Sequence, residues 1–183
     1  MSEKYINTPF SEEEIGNLKS GDMVYITGTI YTARDAAHKR IYESLLAGDE
    51  IPMELKDNII YYLGPSPARE GQIIGSAGPT TSSRMDKYTP LLLENGLKGM
   101  IGKGKRSPQV IDSMKKYKAV YFAAIGGAGA LLSKCIKHAE VIAYEDLGTE
   151  AIRKLQVKNL PAIVVIDSEG NNLYETASEK YRK

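Results

Sequence analysis

The amino-acid sequence predicts an α/β fold, namely a single layered domain with a largely parallel central sheet. Short apolar segments rich in β-branched and aromatic residues alternate along the chain with amphipathic segments of helical spacing. The most apolar of them, residues 119–125, has the unbroken hydrophobic character of a strand buried on both faces. No repeat, low-complexity tract or linker interrupts the 183 residues, so we expect one domain over residues 1–183.

The first half of the chain opens with a predicted helix and then alternates between strands and helices. Ser11 followed by three glutamates is a capping-box pattern, which predicts a short helix that ends near Gly21. An amphipathic helix is predicted at about 34–47, with Gly48 as its stop. The predicted strands of this half are 23–31, 59–63 and 72–76.

The second half continues the same alternation. Pro90 interrupts the helical segment that leads to Asn95, which predicts either a kink or a new helix capped by Thr89. Ser107 followed by Pro108 opens the next predicted helix. The remaining predicted elements are helices at about 128–136 and 149–155 and strands at 98–101, 119–125, 141–144, 162–166 and 173–175, the last after a hairpin-type turn.

Composition and charge exclude several classes of protein. Hydrophobic residues make up 42% and charged residues 26%, as in ordinary globular proteins, and the formal net charge is +1. This charge gives no field that favours nucleic acid or a membrane surface. No apolar run approaches the ~20 residues that span a bilayer, and the acidic start of the sequence lacks the features of a signal peptide. We therefore expect a cytoplasmic protein with neither nucleic acid nor membrane as a partner.

Residues that commonly bind metals are scarce. Cys135 is the one cysteine, and iron–sulfur clusters are held by several thiolates. Cys135 is expected on the apolar face of a helix that His138 ends, where both have structural roles. We expect no metal site in this chain, so any metal that its chemistry needs is expected on another chain.

Three loops, each between a predicted strand and a predicted helix, carry the residues best suited to bind an anion. They are residues 32–38, 78–84 and 102–107. In an open α/β sheet such junctions gather ligands, because helix N-termini present unpaired N–H groups. Arg34 and Arg84 can each bind a carboxylate through two parallel hydrogen bonds. Lys103, Lys105 and Arg106 add positive charge, so the set suits a ligand with two carboxylates.

Each loop taken alone also has an ordinary structural explanation. Arg34 beside Asp35 fits a surface ion pair, the 78–83 run fits a capped turn, and the basic residues at 103–106 fit a solvated surface. The glycine-rich run 126–129 fits tight packing as well as anion binding. These patterns therefore predict an anion-binding α/β domain and leave its activity open.

The same three loops resemble a known family. The segments GTIYTARDAAHKR (28–40), GPTTSSRMD (78–86) and GKGKRS (102–107) resemble the β subunit, or C-terminal domain, of class I fumarases and of the related L-tartrate dehydratases. The similarity continues through IGGAGALLSKCIKHAEVIAYEDLGTEAIRKL (125–155) and covers nearly the whole chain. It implies a swivelling β/β/α domain over residues 1–183.

The resemblance also implies a division of labour between two chains. A partner α subunit would hold a [4Fe–4S] cluster through three cysteines, and the present chain would complete the active site without binding metal. The enzyme would be a hydro-lyase that is active only when both subunits are present. The family suggests an assembly with two copies of each chain.

Site residues follow from the resemblance where the motifs match. It implies that Arg34, Thr81, Arg84 and Lys103 bind the substrate carboxylates. Thr80 resembles the catalytic base, which would act together with Arg84. Asp35 and His38 resemble residues that orient Arg34. The family often has asparagine where Lys105 stands, so the role of Lys105 is not carried over.

Three alternatives for the function remain at this stage. The loops at 28–40 and 102–107 favour reversible hydration of fumarate to (S)-malate over dehydration of L-tartrate, and other dicarboxylates stay open. A non-catalytic, anion-binding or regulatory subunit would show the same basic loops. The combination of Thr80, Arg84 and Lys103 favours an enzyme.

Overall fold

The computed structural model describes residues 3–124 and 129–180, and within them seven strands form one mixed sheet. The strands are β1 Glu3–Thr8, β2 Met23–Thr32, β3 Ile59–Tyr61, β4 Gly99–Gly102, β5 Val120–Ala124, β6 Ile136–Ala143 and β7 Ile152–Ile166. The helices are α1 Glu12–Asn17, α2 Asp35–Ala47, α3 Thr89–Glu94, α4 Pro108–Tyr117, α5 Gly129–Lys134 and α6 Leu173–Lys180. Two 3-10 segments, Ser82–Met85 and Glu145–Glu150, complete the described elements.

The sheet is partly closed rather than a largely parallel open layer. The strand order is β1-β2-β3-β4-β5-β7-β6, with an additional pairing between β2 and β7. Strands β1 to β5 pair in parallel with their neighbours, whereas β7 runs antiparallel to β2, β5 and β6. The mixed α/β class is confirmed, but the expectation of a largely parallel sheet holds only for its first five strands.

Strand β7 accounts for this difference. It is 15 residues long, and it pairs with β6 through its first half and with β5 through its second half. The sequence predicts a helix at 149–155, but residues 145–150 form a 3-10 segment and β7 begins at Ile152. Asn159 has a left-handed backbone, with φ of 51°, beside an irregularity in the pairing with β2. This bulge breaks the alternation that would have identified the long strand.

Two apolar clusters occupy the two faces of the sheet. On β3, Ile59 and Tyr61 belong to one cluster and Ile60 belongs to the other, as the two-residue period of a strand requires. Helices α2, α3 and α4 cover the second cluster. The amphipathic faces predicted for α2 and α4 are thereby confirmed.

Several predicted helix starts are confirmed. Ser11 caps α1 in a full capping box with Glu14, and the Ser107 hydroxyl accepts a hydrogen bond from the amide of Val110 at the start of α4. Helix α3 is a new start at Thr89, with Pro90 in its first turn, but its N-cap residue is Tyr88. The Thr89 hydroxyl instead donates to the carbonyl of Met85.

Other predicted elements are wrong. Residues 72–76 form no strand, because this irregular segment bonds back onto the chain: the amide of Ser76 donates to Oγ of Ser66 at 2.8 Å. His138 lies in β6 instead of ending a helix, and residues 173–175 begin α6. Strand β1 was not predicted, because Ile6 is its one buried residue. The run 126–128 lies outside the described residues.

The parallel part of the sheet gathers the candidate loops at one edge. Strands β2, β3 and β4 are adjacent and parallel, with Thr32 paired to Tyr61 and Tyr61 paired to Ile101. Their carboxyl ends therefore lie side by side, and the chain continues from them into residues 33–38, 62–64 and 103–107. No helix within 3–124 or 129–180 is long and apolar enough to cross a membrane.

Candidate functional site

The first loop is built by the junction between β2 and α2. Arg34 is the N-cap residue of α2 and makes no side-chain capping bond. Its carbonyl accepts the helical hydrogen bond from the amide of His38 and lies 2.8 Å from the His38 ring nitrogen Nδ1. The backbone of Arg34 is thus fixed by two contacts from the first turn of α2.

The Arg34 guanidinium lies between two carboxylates. Its Nε is 3.9 Å from Oε1 of Glu150, and its Nη2 is 4.0 Å from Oδ2 of Asp35. The side chain crosses Gly64, where a Cβ atom would come within 2.8 Å of the Arg34 Cδ. Glycine at position 64 therefore leaves the space that the arginine occupies.

The second loop reaches the sheet edge by a different route from the predicted one. The chain leaves β3, runs through residues 62–79 and returns, so that the Thr80 amide donates to the Tyr62 carbonyl at 2.7 Å. Leu63 and Pro79 form an isolated antiparallel bridge. The predicted position of this loop, after a strand at 72–76, is wrong, because the loop lies beside the end of β3.

The second and third loops are joined through their backbones. The Lys103 amide donates to the Thr80 carbonyl at 3.3 Å, and the Ser82 amide donates to the Lys103 carbonyl at 2.9 Å. Thr81 and Lys103 form a parallel bridge, and both residues are exposed. These contacts place the Thr80, Thr81 and Lys103 backbones on one small patch of surface.

The first and second loops are joined by an ion pair. Nε of Arg84 donates to Oδ1 of Asp35 at 2.8 Å. The Arg84 side chain remains 52% exposed, so most of its donors still face solvent. Together with the backbone bonds, this pair brings all three candidate loops into contact at one edge of the sheet.

Arg106 does not belong to the surface charges with which the sequence analysis grouped it. Its side chain is fully buried between the rings of Tyr62 and Tyr121. Its Nε donates to Asp86 at 2.7 Å and its Nη2 donates to Thr89 at 2.9 Å. A buried charge requires such partners, so Arg106 stabilises the second and third loops from beneath. Lys103 and Lys105 are exposed, as expected.

A second buried contact holds the third loop in place. Ser82 Oγ lies 2.9 Å from the Tyr121 hydroxyl, which in turn donates to the Gly104 carbonyl at 2.8 Å. Burial raises the pKa of Tyr121, so this hydroxyl stays protonated. At Gly102 a Cβ atom would come within 2.0 Å of Ser82 Oγ, which excludes larger residues there.

His38 is a neutral histidine at the base of the site. It is fully buried, and burial lowers its pKa to about 4, against the opposing effect of its bond to the Arg34 carbonyl. Its Nδ1 therefore carries the proton that bonds to this carbonyl. The ring packs edge-on against Tyr62, with 5.3 Å between the ring centroids.

Buried polar atoms that lack a hydrogen-bond partner concentrate around the start of α2. Within residues 3–124 and 129–180 these atoms are Arg34 Nε, Asp35 Oδ2, His38 Nε2 and Tyr62 Oη. Such atoms are uncommon in folded proteins and are normally satisfied by water or a ligand. Three of the four atoms belong to the first candidate loop, and Tyr62 packs against it through His38.

Two cavities lie away from the three candidate loops. A cavity of about 580 Å³ lies between residues 65–75 and strands β6 and β7, and one of about 610 Å³ lies beside the same loop near α5. Neither is lined by Arg34, Arg84 or Lys103.

The described residues do not form a metal centre. No group of three or more His, Cys, Asp or Glu side chains within 3–124 and 129–180 could hold a metal ion. Cys135 packs against the apolar core, and burial raises the pKa of its thiol. These residues do not fit an iron–sulfur cluster.

Glu150 and Tyr62 are the site residues that the sequence analysis missed. Glu150 follows Arg34 by more than a hundred positions, and no spacing rule connects them; it lies within the 125–155 segment that carried the resemblance. Tyr62 looked like the continuation of an apolar strand. Only the folded arrangement places them beside Arg34 and His38.

Three known proteins that resemble this chain carry names of hydro-lyases or their subunits. A family model described as the fumarase C-terminus matches residues 2–177. The chain is 40% identical over 179 residues to the anaerobic class I fumarate hydratase of Escherichia coli K12, which covers 96% of this chain and 33% of that protein. Fumarate hydratase 2 of Leishmania major is 40% identical over 164 residues, or 88% of this chain and 29% of that protein.

A third relative has a different name and length. A protein of Methanocaldococcus jannaschii, provisionally named L(+)-tartrate dehydratase subunit beta, is 36% identical over 183 residues, or 97% of this chain and 94% of that protein. The chain thus spans about a third of the length of the fumarate hydratases that it matches and nearly all of this third relative.

Proposed function

Because this chain belongs to the family of the class I fumarase C-terminus, we propose that it is the β subunit of an iron–sulfur-dependent hydro-lyase. The reaction is the reversible hydration of fumarate to (S)-malate. The observation that supports this most strongly is the joining of three cationic loops by the Arg84–Asp35 ion pair and the Thr80–Lys103 backbone bond. Two arginines and a lysine at one sheet edge suit a small dicarboxylate.

The cations have a role in catalysis as well as in binding. In this proposal Arg34, Arg84 and Lys103 bind the two carboxylates, and the exposed Thr81 adds a polar contact. Removing a proton from the carbon next to a carboxylate spreads negative charge into that carboxylate. Cations already held in place stabilise this charge as it develops, without further reorganisation.

Thr80 is the proposed base for this proton. Its amide is bonded to Tyr62 and its carbonyl to Lys103, so its backbone is fixed on both sides. A free hydroxyl has a very high pKa, and the nearby cations favour its ionised form. In the hydration direction the same group returns the proton to carbon. Arg84, four residues later, is the cation closest in sequence.

Asp35 and His38 orient the arginines. Asp35 has one oxygen on Arg84 and the other beside Arg34. His38 bonds to the Arg34 carbonyl from below. Neither needs to contact the substrate to affect its binding.

The proposal places the [4Fe–4S] cluster on a separate α subunit, because the described residues of this chain do not fit it. When bound there, the cluster would supply a Lewis acid for the substrate hydroxyl. The word beta in the name of the M. jannaschii relative supports a separate partner. We also propose a cytoplasmic enzyme with two copies of each chain.

The test is anaerobic co-expression of this chain with a candidate α subunit that carries three cluster cysteines. Fumarate hydration is followed by the loss of fumarate absorbance, with each chain alone as the control. Turnover that needs both chains is the expected result. Association without turnover on any dicarboxylate would favour the non-catalytic, anion-binding alternative.

L-tartrate is the second candidate substrate. A relative of which this chain covers 94% is provisionally named as a tartrate dehydratase subunit. The same co-expressed enzyme is therefore assayed with L-tartrate under identical conditions. If kcat/KM is higher for L-tartrate than for fumarate, the proposed roles of the three loops stand and L-tartrate is the substrate.

A further inference from the structure

Four charged side chains of alternating sign form a row across the site. In order they are Glu150, Arg34, Asp35 and Arg84, and successive members are 3.9 Å, 4.0 Å and 2.8 Å apart. The sequence already indicates Arg34, Asp35 and Arg84 as site residues. Glu150 ends the row.

Glu150 also contacts the start of α2. Its Oε1 accepts a hydrogen bond from the Ala36 amide at 3.5 Å. The N-cap residue of this helix, Arg34, has no side-chain oxygen that could accept such a bond. Glu150 therefore supplies a carboxylate to the helix N-terminus from a distant part of the chain, beside the guanidinium of Arg34.

The segment that carries Glu150 is held firmly at both ends. We call residues 144–151 the strap. Arg40 of α2 donates from Nη1 to Asp146 at 2.9 Å and lies over the Tyr144 ring. Arg153 of β7 donates to carbonyls of the strap at its other end, those of Gly148, Thr149 and Ala151. These contacts attach the segment that carries Glu150 to both α2 and β7.

The distances favour an orienting role over simple neutralisation. Arg34 makes no hydrogen bond of ordinary length to either carboxylate, since both lie near 4 Å. Two carboxylates at this distance set the direction of the guanidinium through their charge. Nε is buried, and the donors on Nη1 and Nη2 are not taken up by a carboxylate of the described residues. Full ion pairing would have occupied those donors.

We propose that Glu150 is a positioning residue, which orients the guanidinium of Arg34 for the substrate carboxylate. This inference rests on the proposed function, because it assigns Glu150 to the same dicarboxylate site. Glu150 acts through Arg34 and does not touch the substrate. Glu150 then acts at the site although it comes more than a hundred residues after α2 begins.

The test is a double-mutant cycle in the assembled enzyme. Glu150→Gln keeps an oxygen for the Ala36 amide and removes the charge that faces Arg34. We expect kcat/KM to fall about tenfold, mainly through KM. In the Arg34→Ala background the same change is expected to alter kcat/KM less than about twofold, because its target is gone. Equal losses in both backgrounds would overturn the proposal.

Two controls keep the result interpretable. Glu145→Gln changes an exposed glutamate at the start of the 3-10 segment of the strap and is expected to leave kcat/KM unchanged. The melting temperature of each variant shows whether the fold persists. If the wild-type enzyme turns over fumarate and Glu150→Gln has the same kcat/KM, the role of Glu150 is rejected while the proposed function stands.

Failure of the proposed function gives a different pattern. In that case wild-type protein turns over neither fumarate nor L-tartrate. Calorimetric binding of succinate to the assembled chains then replaces turnover in the same cycle. If Glu150→Gln weakens succinate binding in the wild-type background but not in the Arg34→Ala background, the role of Glu150 is still supported. Unchanged succinate binding in Glu150→Gln would reject it.

Discussion

Asp35 connects the two arginines of the candidate site. Its Oδ1 accepts a 2.8 Å hydrogen bond from Nε of Arg84, and its Oδ2 lies 4.0 Å from Nη2 of Arg34. Two guanidinium groups repel each other, and a carboxylate between them lowers the cost of keeping both near one ligand. The arrangement of the site therefore depends on a residue that need not touch the substrate.

The first prediction concerns this carboxylate. Asp35→Asn keeps the shape of the side chain and removes the charge between the arginines. We expect kcat/KM of the assembled enzyme to fall about tenfold or more, with a melting temperature close to that of wild type. Asp112→Asn, an exposed change on α4, is the matched control. Normal kcat/KM in Asp35→Asn would mean that the arginines are positioned by other contacts.

The second prediction concerns Thr80 as the base. Thr80→Val removes the hydroxyl at nearly constant shape, whereas Thr80→Ser keeps it. We expect kcat to fall about a thousandfold in the valine variant and less than about tenfold in the serine variant. Exchange of the C3 proton of malate with deuterated water, measured by NMR, should disappear in Thr80→Val. Persistent exchange would assign the base to another residue.

The third prediction uses the pKa of His38. Burial lowers this pKa from 6.5 to about 4, so the folded protein resists a proton that the unfolded chain accepts. The contribution of neutral His38 to the free energy of unfolding is fully present above pH 6.5 and is lost as the pH falls through 4. The full loss is roughly 3 kcal/mol.

Urea unfolding at two pH values measures this effect. Between about pH 7.5 and about pH 5, wild type should lose about 2 kcal/mol more stability than His38→Gln, which lacks the titrating group. Other groups that titrate in this range are common to both proteins and cancel. Equal pH dependence in the two proteins would show that folding does not lower the pKa of His38.

The fourth prediction concerns the buried Arg106. Arg106→Met leaves Asp86, 13% exposed, without its charged partner and opens the stack between two tyrosines. We expect a loss of about 3–5 kcal/mol in the free energy of unfolding. Lys105→Met, an exposed neighbour, should change stability by less than about 0.5 kcal/mol. Comparable effects of the two substitutions would place Arg106 on the surface.

The loops of the site could be predicted because their signals are local. Arg34 follows a strand of β-branched and aromatic residues and precedes a clear amphipathic helix, and Ser107–Pro108 is a strong helix start. Parallel neighbours then bring their carboxyl ends to one edge. The contact between Thr80 and Lys103 does not follow from this geometry, because it depends on the return of residues 62–79 to the end of β3.

The remaining features depend on contacts between distant residues. Closure of the sheet requires β7 to pair with β2 and β5, and its bulge at Asn159 hides the strand pattern. Arg106 resembles its exposed neighbour Lys105 in sequence, and only the tyrosine rings around it show that it is buried. Glu150 reaches Arg34 through the strap, which no periodicity predicts. Long-range packing decided each of these features.

The central claim is that Arg34 and Arg84 form one dicarboxylate site, and the most direct test is the kcat/KM of Arg34→Ala and Arg84→Ala in the assembled enzyme. Arg69→Ala, an exposed change in the 62–79 loop, is the control. We expect each site variant to lose about a hundredfold or more in fumarate hydration, with unchanged circular dichroism and normal activity in the control. Near-wild-type turnover in either site variant would contradict the account.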